Sequence, residues 1–525
     1  MHAIDSFDRG LAQAPDAAVV LDEETGLTRT YRETADFTHR FAHAVRARGL
    51  GSEDRIVLIA ANSALMYEVV LGAIRSEATY FPINYRSSRS EIDSLLELVG
   101  WSYIFYDEEM QGLIADLLAD PRFEGRLIPL IRDAVEEWIG DVPSGDFVPS
   151  PMPAPEDVYA IRTTGGTTGT PKAVQLTHAN ANYIVSTFNK CSPFTPTPRT
   201  PRPNFLVAAP VTHAAGEVMH LTMEYGGTGI MLRSSKPADL IRLVEEYSIT
   251  HLFLPPTLIY GMLEQPELRN YDYSTLQYMY YGAAPMAPEK LAQAIDVFGP
   301  VLAQIYGQTE TGVPNVFMTP AEHFVDGDPA KGLVSSQRLA SAGRPTHPEE
   351  FAILDPTGQP VAQGERGEIG INGQAVTPGY YGDEEQTKNA KVGDYHMTGD
   401  LAYQDEDGFV YIVDRLRDMI ISGGFNIYSA EVERVVLAYP GIQECSAFGI
   451  PDEKWGEAVT VAVETAPGAV VDEDALRAYC REELGPIKTP KHFYFYTDLP
   501  RTPTGKVRKN DIKSQFWADQ ERKVS

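Results

Sequence analysis

Apolar residues in the first 250 positions switch repeatedly between helical spacing and short continuous runs. Over residues 31–50, Phe37, Phe41 and Val45 recur at the spacing of an amphipathic helix, and the apolar run at 55–60 then predicts a strand. The same switch recurs as a helix at 63–75, a helix at 240–247 and a strand at 249–254. Helices and strands in alternation predict a mostly parallel sheet covered on its faces, which is an α/β fold.

The pattern changes near Phe351, where the longer periods give way to short alternating runs with turns. The runs at 367–373 and 408–413 predict a small β-rich subdomain. A compact mixed pattern then continues from residue 419 to the last residue. That stretch is about a hundred residues long, which is enough for a separate lid domain.

The composition is that of a globular protein, and it narrows the classes of partner. The 525 residues hold 44 Lys and Arg against 73 Asp and Glu, a net charge of -29. Nucleic acids and anionic membranes favour basic surfaces, so we expect neither as a partner. No apolar run of about 18 residues predicts a membrane span, and the first residues show no basic and apolar regions of a secretory signal. We therefore expect a cytoplasmic protein.

The three cysteines, Cys191, Cys445 and Cys480, lie far apart along the chain. They form no close pair that would indicate a zinc site or a redox motif. We expect them to be buried free thiols in a reducing compartment.

The most informative segment is a glycine-threonine loop that leads into Pro-Lys, Thr163-Thr164-Gly165-Gly166-Thr167-Thr168-Gly169-Thr170-Pro171-Lys172. Such a loop can wrap backbone N–H groups and hydroxyls around a triphosphate while its lysine adds a charge. A Walker loop requires glycine directly before the lysine, and here proline intervenes. The segment therefore predicts a nucleotide loop of another kind, although in isolation it would also suit a flexible surface loop.

Five further motifs follow this loop in order. They are Tyr306-Gly307-Gln308-Thr309-Glu310, Gly343-Arg344-Pro345, Thr398-Gly399-Asp400, Asp414-Arg415 with Ser422-Gly423-Gly424, and Thr502-Pro503-Thr504-Gly505-Lys506. In this order and spacing they resemble the adenylate-forming superfamily, most closely the acyl- and aryl-CoA ligases, over nearly the whole chain. The resemblance implies a large N-terminal domain of layered α/β sheets with the β-rich subdomain at 1–414, a hinge at 415–418, and a small mobile α+β lid domain at 419–525.

The resemblance also implies the reaction. A carboxylate attacks the α-phosphate of ATP to give an acyl-adenylate and pyrophosphate, and the thiol of coenzyme A then attacks the adenylate. A carboxylate can approach a polyanion only if cations and aligned donors neutralise the charge. ATP, Mg²⁺ and coenzyme A are the implied cofactors, and a small-molecule carboxylic acid is the implied substrate.

By the same resemblance, the nucleotide-binding residues fall in several of these motifs. Glu310 would bind Mg²⁺ and Thr309 would contact the α-phosphate, although Thr-Glu is also an ordinary helix start. Asp400 would accept hydrogen bonds from the ribose hydroxyls, and Arg415 would reach the ribose or a phosphate. The alternative for Thr398-Gly399-Asp400 is an ordinary tight turn. The other implied nucleotide contacts are Thr164, Gly166, Thr167, Thr168, Gly169 and Lys172 at the β- and γ-phosphates, Gly282, Ala283 and Ala284 at the adenine, and Gln304 and Tyr306.

Lys506 is the implied catalytic lysine, which bridges the carboxylate and the α-phosphate during adenylation. The resemblance places the pivot of lid rotation at Arg417. Rotation would withdraw Lys506 and bring the loop around Gly423 and Gly424 to the site for thioester formation. The two glycines would let the pantetheine arm pass closely because they lack side chains.

The resemblance implies further residues at the coenzyme A and acid ends. Trp455 matches a tryptophan that stacks on the CoA adenine, and the alternative is a structural tryptophan. Lys488 and Lys491 would suit the CoA phosphates, and the alternative is a solvated face. His213, in Thr212-His213, matches the histidine beside the carboxylate pocket. Amino-acid-activating relatives carry Phe-Asp there, so the substrate is expected to lack an α-amino group.

We favour an aromatic or bulky alicyclic acid, because the residues expected near His213 are small. They are Ala214, Ala215, Gly216, Gly282 and Ala283. The identity of the acid stays open, and if the chain associates, a homodimer is the commonest assembly.

Five positions depart from the family pattern. Gly165 stands where serine is common, and Ala173 stands where glycine is usual. Phe425 stands where glutamate is common, and Asn372 where many relatives carry arginine. Arg417 replaces the usual lysine or aspartate. A lost hydrogen bond to phosphate costs about 1.5–3 kcal/mol, which could weaken adenylation. These departures motivate one alternative, an enzyme that only thioesterifies a preformed acyl-adenylate. A stand-alone adenylation enzyme that loads a carrier protein is a second alternative.

Overall fold

The structure, a computed structural model, describes residues 2–164, 172–452, 454–466, 468–502 and 507–517. These residues form two compact units. The first unit holds residues 2–164, 172–350 and 371–391, and the second holds 351–370 and the described residues from 392 onward.

The α-helices are mostly between two and four turns long. They are α1 (Asp5–Gln13), α2 (Tyr31–Ala47), α3 (Ala64–Arg75), α4 (Arg89–Val99), α5 (Ala115–Ala119), α6 (Arg132–Ile139), α7 (His178–Cys191), α8 (Ala214–Glu224), α9 (Pro237–Glu246), α10 (Pro256–Leu263), α11 (Pro288–Phe298), α12 (Ser336–Leu339), α13 (Glu384–Asn389), α14 (Ser429–Leu437), α15 (Glu473–Lys488) and α16 (Lys509–Trp517).

The strands of the first unit alternate with its helices. They are β1 (Ala18–Asp22), β2 (Thr28–Thr30), β3 (Arg55–Ile59), β4 (Thr79–Ile83), β5 (Tyr103–Tyr106), β6 (Leu127–Pro129), β7 (Val158–Thr164), β8 (Lys172–Thr177), β9 (Asn204–Val207), β10 (Thr228–Met231), β11 (His251–Leu254), β12 (Tyr278–Gly282), β13 (Leu302–Gln308), β14 (Gly312–Met318) and β15 (Arg344–Pro345).

The strands after β15 lie mainly in the second unit. They are β16 (Phe351–Leu354), β17 (Gly367–Ile371), β18 (Lys391–Val392), β19 (Tyr395–Gln404), β20 (Val410–Arg415), β21 (Ile420–Ser422), β22 (Phe425–Ile427), β23 (Ile442–Asp452), β24 (Gly456–Thr465) and β25 (His492–Tyr496).

Two sheets with mainly parallel cores build the first unit. One runs in the order β15-β14-β13-β12-β11-β9-β10-β1-β2, and its strands from β13 to β1 pair in parallel. The other runs β6-β5-β3-β4-β7-β8 and is parallel except for the β7–β8 pair. The α/β architecture expected from the alternating pattern is confirmed, because the mainly parallel strands of both sheets alternate along the chain with helices such as α3, α9 and α11.

Helix α2 shows how the sequence produces this packing. Thr30 caps the helix and forms a capping box with Glu33, which satisfies the first free backbone N–H groups. Phe37 and Phe41 are fully or nearly fully buried, and the Phe41 ring lies 4.8 Å from that of Trp138. The core cluster that contains these rings includes residues of both sheets, so α2 helps to join them.

The second unit contains two smaller sheets. The first runs β16-β17-β19-β18 with β20 beside β19, in agreement with the β-rich pattern of the sequence. The other runs β22-β21-β24-β23 with β25 beside β24, and helices α14 and α15 bury apolar residues against it. The limits of the predicted hinge and lid domain stay a prediction.

The cysteine expectation is confirmed at two of the three positions. Cys445 and Cys480 are buried free thiols, whereas Cys191 is only half-buried because it closes α7 near the surface. Burial raises the pKa of Cys480 to about 11. Across the described ranges, no helix is both long enough and apolar enough to cross a membrane.

A lysine ties three segments of the second unit together. Lys509, the first residue of α16, donates from Nζ to Ser429 Oγ at 2.7 Å and pairs with Glu433 at 2.9 Å. Ser429, which opens α14, donates from Oγ to Asp414 Oδ1 at 2.9 Å. Burial raises the pKa of Asp414 to about 6, and the positive charge of Lys509 opposes that shift. These contacts fasten the end of β20 to the first turns of α14 and α16.

We expect Lys509→Met to loosen this part of the second unit, because Glu433 loses its cation and Ser429 a donor. A buried polar group left unsatisfied costs about 1–3 kcal/mol. The loss should appear as faster amide hydrogen exchange in α14 and α16, measured by mass spectrometry. Lys513→Met on the same helix is the matched control and should leave the exchange of α14 unchanged; equal acceleration by both would contradict the prediction.

Candidate active site

The stem of the glycine-threonine loop is formed by two antiparallel strands. β7 ends at Thr164 and β8 begins at Lys172, and these two residues are partners in the pairing. Both ends of the loop are therefore held side by side. Residues 165–171, which include the predicted contacts Gly166, Thr167, Thr168 and Gly169, lie outside the described residues.

Ala173, one of the departures from the family pattern, is buried in the apolar cluster beneath β8. Its methyl group packs among core side chains, and its carbonyl accepts the backbone N–H of Tyr381 at 2.7 Å. The extra methyl of alanine is therefore accommodated by the core of the sheet.

Glu310 lies in a tight 3₁₀ turn, Thr309–Thr311, directly after β13. Its side chain is only 8% exposed. Its Oε1 accepts a hydrogen bond from the Tyr380 hydroxyl at 3.0 Å, and its backbone carbonyl accepts Thr377 N–H at 2.9 Å. The carboxylate is thus fixed at the end of a parallel strand, where α/β sheets bind ligands.

A single fixed carboxylate suits Mg²⁺ in this position. Within the described residues, no group of three or more His, Cys, Asp or Glu side chains could hold a metal by itself. Mg²⁺ is commonly held by one or two carboxylates together with substrate phosphates. Glu310 fits that chemistry.

Tyr380 was not singled out in the sequence, yet it connects two predicted site residues. Its hydroxyl donates to Glu310, and the Nζ of Lys172 lies 5.0 Å from the centre of its ring. Tyr380 follows Pro378-Gly379, so the signal that could have found it is an aromatic residue immediately after a predicted turn.

The predicted adenine segment follows the neighbouring strand β12. Gly282 ends this strand, and a side chain there would collide with the carbonyl of Ile305 on β13. Ala283 comes next with φ +64, a left-handed conformation unusual for alanine, and Ala283 and Ala284 are exposed. Backbone strain of this kind concentrates at ligand sites.

The two predicted contacts on β13 lie beside this segment. Gln304 pairs with Tyr281 across the strands and accepts a hydrogen bond from its hydroxyl at 3.2 Å, while Tyr306 is half-buried further along. Gln308, two residues further on, has a buried side-chain Nε2 without a hydrogen-bond acceptor among the described residues. Such an orphan donor at the end of a parallel strand suits a polar ligand.

His213 is the N-cap residue of α8, and its Nδ1 lies 3.0 Å from the Thr212 hydroxyl. It follows β9, which is parallel to β12 and β13, so His213, Ala283 and Glu310 all follow the carboxyl ends of strands in one sheet.

The expectation that glycines leave room near His213 is wrong at two positions. A side chain at Gly216 would collide with the carbonyl of Val211, and one at Gly282 with that of Ile305. Both glycines allow close backbone packing and do not open space. Ala215 is fully buried as well, so only Ala214 and Ala283 remain as small, partly accessible side chains.

In the second unit, Asp400 and Arg415 are cross-strand partners on β19 and β20. Arg415 Nε lies 3.2 Å from Asp400 Oδ1, and Asp400 is almost fully buried. Glu368, which was not predicted, accepts the backbone N–H of Gly399 at 2.8 Å. Burial and the neighbouring Asp400 raise the pKa of Glu368.

Gly423 and Gly424 form the two-residue turn between β21 and β22, with φ +58 and +80. Left-handed conformations at both turn residues favour glycine. Gly423 also donates its N–H to the Trp455 carbonyl at 2.7 Å, and a side chain on it would meet the Trp455 ring at 2.8 Å. Gly424 has open space at the same position.

Trp455 is 40% exposed and lies among basic side chains. The Nζ atoms of Lys454 and Lys491 lie 4.7 Å and 5.9 Å from its ring centre. Burial lowers the pKa of Lys491, and the nearby cations Arg481 and Arg477 lower it further. The two arginines were not predicted from the sequence, because only the fold of the chain brings them near Lys491.

Lys488 belongs to a different environment from Lys491. Its Nζ donates to Glu431 Oε1 at 2.6 Å, so an acidic partner already engages its charge. The structure therefore does not arrange Lys488 and Lys491 as a basic pair.

The remaining predicted residues are one in the expected hinge and one in the expected lid. Arg417 is exposed just after β20, in the segment expected to act as the hinge. Lys506 lies outside the described residues, although Arg501 and Val507 on either side of its segment pair as an antiparallel bridge. The structure thus brings together Lys172 and Glu310 in the first unit, and Asp400 with Arg415, and Gly423 with Trp455, in the second.

Two family models match the chain. The AMP-binding enzyme model matches residues 7–381, and the AMP-binding enzyme C-terminal domain model matches residues 431–506. The first match contains the loop stem, His213, Glu310 and Tyr380, and the second contains Trp455 and Lys491.

Relatives with nearly the same length are also found. A medium/long-chain-fatty-acid–CoA ligase of Mycobacterium tuberculosis is 34% identical in an alignment 513 positions long, which covers 92% of this chain and 85% of that protein. A feruloyl-CoA synthase of Amycolatopsis sp is 33% identical over 511 residues, 97% of this chain and 98% of the relative. The solved structure of the amide bond synthetase McbA from Marinactinospora thermotolerans has a TM-score of 0.83 and 27% identity, and the match covers 98% of this chain and 100% of that one.

We expect Gly423→Ala to displace Trp455, because the new methyl group would lie 2.8 Å from its ring. Gly424→Ala is the matched control, since it carries the same left-handed strain of about 1–2 kcal/mol but meets no neighbour. Acrylamide quenching of Trp455 fluorescence, with Trp455→Phe to subtract the other tryptophans, should rise in the Gly423 variant alone. Equal quenching in both variants would show that the contact does not hold the ring.

Proposed function

The chain belongs to the AMP-binding enzyme family, and on that basis we propose that it is an acid–CoA ligase for carboxylic acids without an α-amino group. It is an AMP-forming acid–thiol ligase like the acyl- and aryl-CoA ligases it resembles, and its substrates include ATP and coenzyme A. The use of Mg²⁺ and a preference for aromatic or bulky alicyclic acids are further parts of the proposal.

One observation carries the proposal, the cluster of Lys172, Tyr380 and Glu310 beside the stem of the glycine-threonine loop. The ammonium group suits the β- and γ-phosphates of ATP, and the carboxylate suits a Mg²⁺ ion shared with phosphate oxygens. In a chain with a net charge of -29, a polyanion requires such a local arrangement to bind.

In the proposed first step, a carboxylate oxygen attacks the α-phosphorus, and the bond from that phosphorus to the pyrophosphate oxygen breaks. Lys172, Thr309 and Lys506 would stabilise the negative charge that develops on the phosphate oxygens. Mg²⁺ held by Glu310 would supply charge neutralisation there. In the second step, the thiol sulfur attacks the acyl carbon, the thiol proton passes to solvent, and AMP leaves with the bridging oxygen.

The start of α8 supports a substrate carboxylate without a nearby amine. Helix N-termini favour anions, and His213 and Thr212 offer an imidazole and a hydroxyl there. The carboxylate in the first turn, Glu217, is buried and already paired with Arg162, so it does not serve an ammonium group. The relatives are named for two kinds of acid, a fatty acid and an aromatic one. Product formation with a panel of acids distinguishes a fatty-acid substrate from an aromatic one.

The first test is product formation from ATP, Mg²⁺, coenzyme A and a panel of aryl, alicyclic and fatty acids. We expect AMP, pyrophosphate and acyl-CoA in equal amounts, with the highest kcat/KM for an aryl or alicyclic acid. Lys506→Ala should lower adenylation by about 10²–10³-fold and leave thioester formation from a synthetic acyl-adenylate largely intact. If no acid gives a CoA-dependent product, the proposal is wrong.

Changing the donor and the acceptor separates the alternatives. Turnover from ATP and acid that equals turnover from synthetic acyl-adenylate would dismiss an enzyme limited to thioesterification. Activity with a phosphopantetheine carrier protein but not with coenzyme A would select a carrier-loading enzyme. An amide formed with an added amine, and no thioester, would select the type of reaction named for the McbA structure.

We expect Lys491→Ala to raise the KM for coenzyme A by about twofold to fivefold, as for a partly exposed ion pair with a phosphate, and to leave kcat unchanged. The reason is its position in the basic group around Trp455. Lys488→Ala is the matched control, because Glu431 already engages that lysine. A larger increase in KM for the Lys488 variant would reverse the assignment.

A further inference from the structure

Residues 377–381, called here the 377–381 strap, are attached to both halves of the phosphate site. Thr377 N–H donates to the Glu310 carbonyl at 2.9 Å, which fastens one end to the turn after β13. At the other end, Gln175 N–H donates to the Gly379 carbonyl at 3.0 Å and Tyr381 N–H to the Ala173 carbonyl at 2.7 Å, which fastens the strap to β8. The strap therefore sets the distance between the loop stem and the Glu310 turn.

The backbone of the strap also fixes the direction of Tyr380. Gly379 has φ +135, and any side chain there would collide with Thr387. Thr387 in turn accepts the backbone N–H of Tyr380 on its hydroxyl at 2.9 Å. The Tyr380 side chain is 9% exposed, so the phenol has one packed position.

From that position Tyr380 contacts one group of each charge. Its hydroxyl donates to Glu310 Oε1, and the Lys172 ammonium lies 5.0 Å from the ring centre, within the range of a cation–π contact. A hydrogen bond to Oε1 orients the carboxylate and leaves Oε2 to face a cation. The ring face holds the ammonium at that distance.

We propose that Tyr380 is a positioning residue for the ATP half-reaction, which acts by orienting Glu310 through its hydroxyl and Lys172 through its ring. The inference rests on the proposed function, in which these two residues serve Mg²⁺ and the phosphates. Opposite charges close together in a protein attract strongly and would neutralise each other. The phenol contacts both groups and keeps the carboxylate and the ammonium directed at the metal–nucleotide complex.

Two substitutions separate the hydroxyl from the ring. Tyr380→Phe removes the hydrogen bond to Glu310 and keeps the aromatic face toward Lys172, whereas Tyr380→Leu removes both. Tyr381→Phe is the matched control, because Tyr381 is the next residue of the strap and its hydroxyl accepts a hydrogen bond from Arg55 at 2.8 Å. The Tyr381→Phe variant loses a phenol hydroxyl from the same strap and keeps the hydrogen bond from Tyr380 to Glu310.

The measurement that needs no turnover is calorimetric binding of α,β-methylene-ATP, with Mg²⁺ and with EDTA. We expect Tyr380→Phe to weaken binding in Mg²⁺ by about tenfold, as for a lost hydrogen bond to a charged group, and to change binding in EDTA little. We expect Tyr380→Leu to weaken binding in EDTA as well, by about twofold to fivefold. Tyr381→Phe should match the wild-type chain in both conditions.

A second readout is the Mg²⁺ dependence of acid-dependent ATP–pyrophosphate exchange. Tyr380→Phe should require a higher Mg²⁺ concentration for half-maximal exchange and recover most of its rate at saturation. A Mg²⁺ dependence equal to that of wild type, or an equal shift in Tyr381→Phe, would overturn the inference. If Tyr380→Leu does not fold, Tyr380→Phe still decides the role of the hydroxyl.

Failure of the inference can be told from failure of the proposed function. A wild-type chain that exchanges no pyrophosphate with any acid contradicts the ligase proposal, while the calorimetric comparison in Mg²⁺ still judges Tyr380. Conversely, normal exchange with an unchanged Tyr380→Phe variant retains the ligase and rejects the positioning role.

Discussion

The structure of the candidate phosphate site depends on holding a cation and an anion close together without letting them neutralise each other. Lys172 and Glu310 come from different sheets of the first unit and converge on the one ring of Tyr380. Glu310 is almost fully buried and Lys172 is half-buried, so water screens charge interactions at this site less than it does on the open surface. The phenol and the hydrogen-bonded strap that carries it supply the rigid support. A chain with 73 acidic residues needs this arrangement, since its overall charge repels the anions that it is proposed to bind.

The parallel sheet explains why the other predicted contacts of the first unit gather at one edge. His213, Ala283 and Glu310 each follow the carboxyl end of a strand, and parallel strands place those ends together. Close backbone packing, between strands at Gly282 and between α8 and the segment after β9 at Gly216, also accounts for the glycines. Gly282 lies against the Ile305 carbonyl and Gly216 against that of Val211, so these residues are small to let backbones approach each other. These two glycines therefore do not enlarge the space near His213.

The second unit shows how neighbours in sequence acquire different roles through the backbone. Lys488 is the last residue of α15 and faces Glu431, whereas Lys491 follows the end of that helix and lies near Trp455 with Arg477 and Arg481. Only two residues of the chain lie between a lysine paired with a glutamate and a lysine in a basic environment. Gly423 has a similar double explanation, since its left-handed turn conformation and its contact with Trp455 both exclude a side chain. In both cases the local sequence predicts the residue, and the packing determines which groups it contacts.

The sequence alone determined the α/β class and the helices and strands of strong periodicity, and it supplied the motifs on which the proposed phosphate, magnesium and lysine roles rest. It could do so because apolar periodicity and turn chemistry are local properties, and motifs of fixed spacing record backbone positions that a ligand demands. Only the tertiary structure decided the contacts between distant segments. Tyr380 lies 70 residues from Glu310 in the chain, and Glu368 is 31 residues from Gly399, so no local pattern could join them. The same holds for the burial of the Gly216 and Gly282 sites, because whether a missing side chain opens space or admits a backbone depends on which strand or loop packs there.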